Sequence, residues 1–127
     1  MNGLRIEPSS GGTERRPGDA LELMASWSLA EPPASLEVRL FWFTQGKGTP
    51  DVGVVETQPV EITGARGDRR VRFKLPDTPY SFSGTLITLT WAVELVADDA
   101  LTARWEFVMA PEKREVQLGN AKLARAR

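Results

Sequence analysis

The chain has 127 residues, enough for one domain that buries about two thirds of its unfolded surface without disulfide or metal staples. Its 16 basic and 17 acidic residues nearly cancel, which gives no field to draw nucleic acid, and the absence of histidine and cysteine removes the usual general base, thiolate nucleophile and transition-metal ligands. No stretch is apolar for long enough to cross a bilayer, and Met1 to Glu7 lacks the basic-then-apolar pattern of a secretory leader. The reading is therefore a cytoplasmic protein with no integral membrane segment and no cofactor.

Leu4 and Ile6 mark a short first strand that stops at Pro8, before a loose segment over residues 9–13. Arg16-Pro17-Gly18-Asp19 reads as a turn into a second strand. There Leu21, Leu23, Ala25, Trp27 and Leu29 alternate with Glu22, Met24, Ser26 and Ser28, so one face is buried. Glu31-Pro32-Pro33 ends it, since proline has no N–H to give a ladder. The third strand, residues 35–44, turns Leu36, Val38, Leu40 and Trp42 inward and Phe41 and Phe43 outward. After a loop at 45–50 the fourth runs over 52–63, with Pro59 predicting a bulge or a sheet edge. The fifth, 68–75, sets Val71, Phe73 and Leu75 inside and Arg70, Arg72 and Lys74 outside. A proline-rich corner over 75–84, carrying Tyr80 and Phe82, feeds the sixth strand, where Ile87, Leu89, Trp91, Val93 and Leu95 share a face. Asp98-Asp99 turns the chain into the seventh, with Leu101, Ala103, Trp105, Phe107 and Met109 inward, and Pro111 ends it.

Short alternating strands separated by turn signals, with helical periodicity scarce before the tail, predict an all-β protein. The expected form is a seven-stranded antiparallel two-sheet β-sandwich of immunoglobulin-like type over residues 1–112. Residues 113–127 are expected to form a basic C-terminal tail, either a frayed end or a short helix setting Val116, Leu118 and Leu123 on the sandwich. Trp27, Trp42, Trp91 and Trp105 all index inward, and burial of each contributes about 2 to 3 kcal/mol.

The turn at 16–19, the corner from Leu75-Pro76 to Gly84, and the run from Leu86 to Glu94 together resemble the arrestin-like sandwich. The chain is similar to bacterial sporulation-control-type proteins and to the cargo-sorting subunits of retromer, which share that fold. Their pattern of Pro, Ser, aromatic, Gly, apolar, Trp and Val is matched by Pro79, Ser81, Phe82, Gly84, Leu86, Trp91 and Val93. The resemblance implies one arrestin-like sandwich, where the family usually carries two in tandem. The matched positions are packing positions, so no functional residue is carried over.

Chemistry is sparse in this sequence. Asp98 and Asp99 are neighbours, and side chains adjacent on a strand point to opposite faces, so they read as turn formers rather than a catalytic pair. Gly46-Lys47-Gly48-Thr49 lacks the spacing of a phosphate loop and no helix follows it. Two surface features remain. Arg70, Arg72 and Lys74 form a basic row on one strand, either a solvated guard against edge pairing or a dock for an acidic segment of a partner protein. Phe41 and Phe43 make their strand apolar on both sides, so its outer face is expected to be covered by the tail or by another chain, including a second copy. These features predict a non-catalytic protein-interaction module, an adaptor or scaffold able to form a homodimer. A carbohydrate-binding sandwich would need exposed tryptophans, and a carboxylate-dependent enzyme would need a compact acidic pocket.

Overall fold

Alternating apolar faces need a second layer to cover them. The computed structural model, which describes residues 3–48, 50–84, 87–111 and 116–117, provides that layer by pairing two sheets. In chain order the strands are β1 (Leu4–Pro8), β2 (Glu14–Arg15), β3 (Ala20–Ser28), β4 (Leu36–Gly46) and β5 (Val52–Pro59). They continue with β6 (Arg66–Lys74), β7 (Phe82–Ser83), β8 (Ile87–Ala97), β9 (Leu101–Met109) and β10 (Val116–Gln117). The smaller sheet runs β1-β3-β6. The larger places β8 between β4 and β9, with β5 outside β4 and the short β7 and β2 completing the far side.

All seven expected strands are present, and the count is corrected upward to ten among the described residues. The additions, β2, β7 and β10, have two residues each, too few for an alternation to be read. β2 lies parallel to β9 and β10 parallel to β7, so the ladders are not wholly antiparallel. Val116 and Gln117, expected in the tail, are the two residues of β10, and residues 113–115 and 118–127 lie outside the described ones. β5 stops at Pro59 rather than Thr63. Its bulge falls where the register steps from Leu40↔Glu56 to Phe41↔Val54, not at the proline.

The inward faces meet as expected over most of their length, with Leu21, Leu23, Val38, Leu40, Phe73 and Trp91 fully buried. Ile87 and Leu101 depart from expectation at 41% and 39% exposed, because each opens its strand at the end of the ladder. Trp27 and Trp91 are buried, while Trp42 and Trp105 are half-buried at the rim of the core. Trp42 lies against Gly53, its partner on β5, so closely that a Cβ on that glycine would sit 2.2 Å from the indole.

The residues that carry the arrestin-like resemblance have a physical role. Trp91 Nε1 donates to the Pro79 carbonyl at 2.7 Å, tying the corner to the central strand. Ser81 is buried and exchanges two bonds with Met109, its Oγ accepting from the Met109 N–H at 2.9 Å and its own N–H donating to the Met109 carbonyl at 2.8 Å. At residues 16–19 Gly18 takes φ +84°, as the third position of a Pro-Gly turn requires, and the Asp19 carboxylate accepts from the Arg16 N–H at 2.9 Å. Asp98 and Asp99 both take left-handed φ, 55° and 56°, at the tip of the β8–β9 hairpin. Asp98 Oδ1 accepts from the N–H groups of Ala34 and Ser35 at 2.7 and 2.9 Å, so this carboxylate pins the entry to β4. No helix among the described residues is long and apolar enough to cross a membrane.

Candidate functional site

The basic row stands where alternation puts it. β6 is an edge strand paired only with β3, and Arg70, Arg72 and Lys74 are exposed on its outer face, opposite Met24, Glu22 and Ala20. Arg72 faces Glu22 at 3.9 Å, a distance at which exposed charges attract weakly, and Arg70 and Lys74 make no ion pair among the described residues. Arg69, beside the row, belongs to the other parity of the strand and pairs with Glu61. The Arg72 carbonyl accepts from Gln58 Nε2 at 2.8 Å and therefore points away from β3, toward the free edge.

Phe41 and Phe43 lie on the outer face of β4, but they are roofed. Phe41 is only 6% exposed although it stands outside the main core cluster. The Arg104 guanidinium sits 5.1 and 5.0 Å from the two ring centroids, near enough for cation–π attraction. Glu94 at 3.3 Å and Glu106 at 3.9 Å hold it there. Among the described residues, part of the expected cover over this face is therefore supplied by Arg104 of the chain's own β9, while the rest of the tail lies outside them. The exposed apolar surface beside it belongs to β5, where Val52, Val54 and Val55 are 64%, 57% and 43% exposed. Sequence reasoning missed both the roof and the valines. Arg104 could have been found from the cross-strand match Glu94↔Arg104, once the tight hairpin had fixed the β8–β9 register.

Features suited to the competing chemistries do not converge. No group of three metal-ligating side chains occurs among the described residues. A shallow pocket of about 170 Å³ at the β4–β5 loop is lined by Phe82, Ile87 and the loop itself, with Lys47 its only cation and Asp51 its only carboxylate among the described residues. None of the four tryptophans, five phenylalanines or the single tyrosine is exposed, which leaves no aromatic platform for a sugar ring.

No protein-family model matches the sequence, and neither does any curated protein. Among solved structures, the sporulation control protein Spo0M of Bacillus subtilis is similar with a TM-score of 0.58, at 9% identity, over 87% of this chain and 50% of its own. A β-glucosidase from Listeria innocua, in complex with isofagomine, reaches 0.49 at 14% identity, over 89% of this chain and 16% of that one. At such identities the likeness is one of fold, and this chain spans about half the length of Spo0M. The corner, the central strand and the two-sheet layout give the chain the arrestin-like fold that Spo0M has.

Proposed function

We propose that the chain is a non-catalytic protein-interaction module of adaptor type, which takes an extended acidic segment of a partner protein along Arg70, Arg72 and Lys74. The observation that carries this reading is the row itself, with three exposed cations on one face of an edge strand that has a ladder on one side only, and two of them without an ion pair among the described residues. At a rise near 3.3 Å per residue the row is about 13 Å long, the span of five residues of an extended peptide with acids at alternate positions. A cytoplasmic location is part of the reading and is supported by a composition without cysteine. Self-association is part of it as well, because a single sandwich leaves sheet edges open.

Fluorescence anisotropy with a labelled peptide of alternating glutamate and valine tests the dock directly. Binding is expected at low salt and should weaken as ionic strength passes about 0.15 M, where the screening length is about 8 Å. Replacing Arg70, Arg72 and Lys74 together by glutamate should cut the affinity at least about tenfold, with the melting curve nearly unchanged because all three are exposed. Undiminished affinity in the triple variant would reduce the row to a solvated face.

A further inference from the structure

We infer that the chain pairs with a second copy of itself through β5, in an antiparallel register centred on Gly53. This rests on the self-association part of the proposed function and not on the acidic dock, which uses a different strand. β5 ends the larger sheet, and no described strand lies beyond it. The Asp51 carbonyl accepts from the Thr44 N–H at 2.9 Å, so the backbone of Asp51 faces β4. Backbone direction alternates along a strand, so Gly53 also faces β4 while the N–H and C=O of Val52 and Val54 face outward. Their side chains are the two most exposed of the large hydrophobics among the described residues, at 64% and 57%.

A two-fold axis through Gly53 sets Val52 opposite Val54 of the second copy, and Val54 opposite its Val52. Both are pairs of outward-facing residues, so each exchanges two hydrogen bonds, and four valines meet on the outer face. No charge opposes a like charge in this register, because Asp51 falls opposite Val55 and Glu56 opposite Pro50. The same operation on β6 about Arg72 would put Arg70 against Lys74 and Arg72 against itself, which like-charge repulsion disfavours. Of these two edges, β5 is the one whose chemistry accepts its own copy. An acidic strand is turned away from it by the flanking Asp51 and Glu56. Pro50 and the bulge at Val54 and Val55 confine the seam to residues 51–55, so the contact is small and the dimer weak.

Sedimentation of the intact chain from about 10 µM to about 1 mM, the range suited to so small a contact, should show the mean mass climbing from 14.0 kDa toward twice that value. A variant carrying Val52→Lys with Val54→Lys, and another carrying Val52→Glu with Val54→Glu, should each stay monomeric while melting like the parent, since both positions are exposed. An equimolar mixture of the two should associate again, because the register sets lysine against glutamate. The amide protons of Val52 and Val54 should also exchange more slowly with rising concentration, while that of Gly53 does not change. A parent chain monomeric at 1 mM would overturn this inference and the self-association reading together. A parent that associates while both variants associate equally would overturn this interface alone, and so would a mixture that stays monomeric.

Discussion

Trp91 illustrates how one side chain can serve both packing and path. It is fully buried at the middle of β8, and its indole N–H is the partner of the Pro79 carbonyl, so it fills the core and anchors the corner at once. Replacement by alanine should cost about 3 to 5 kcal/mol, read as a lower denaturant midpoint at constant slope. A loss below about 1 kcal/mol would remove the register assigned to this strand. Asp98 is exposed, yet its carboxylate satisfies two backbone donors that no strand reaches. Asp98→Ala should therefore destabilise by about 1 to 3 kcal/mol, and Asp98→Asn by much less, since an amide oxygen still accepts and asparagine tolerates left-handed φ. Equal melting of the two variants would show that the bonds to Ala34 and Ser35 carry no stability. Trp91 was legible from alternation, whereas the role of Asp98 depends on a loop 63 residues away in sequence, which no local pattern announces.

Strands with a buried face and a solvated face declare themselves, and for that reason β3 and β6 fall where alternation sets them. β5 does not, because as an edge strand it buries little, and its valines lack the contrast that fixes an orientation. β2, β7 and β10 arise from chain path beside an existing strand, and a two-residue pairing has no period to detect. The basic row was legible because its three members share one parity. The roof over Phe41 and Phe43 was not, since it needs the register of β9 against β8 as well as that of β8 against β4. Arg104→Ala should leave the melt within about 1 kcal/mol of the parent, because the pairs that Arg104 makes are partly exposed. It should nonetheless raise the fluorescence of a hydrophobic dye as the two rings open. An unchanged dye signal would mean that other groups cover the face.

The two sheets share one continuous core, in which Trp27 of the smaller packs in the same cluster as Trp91 of the larger. Unfolding should then be a single event, with tryptophan fluorescence and far-ultraviolet circular dichroism tracing the same transition in denaturant. Two separated midpoints would show that the sheets come apart as independent units. The margin where β5 and β6 approach each other is closed differently from the rest. There the smaller and larger sheets are bridged by Gln58, whose amide reaches the Arg72 carbonyl while also bonding Glu56 at 2.9 Å. Such a clasp has one release point, where a ladder has several. That side of the sandwich is consequently its latch, and rotation of Gln58 about its own torsions releases the side-chain bond between β5 and β6 without breaking a rung of either sheet.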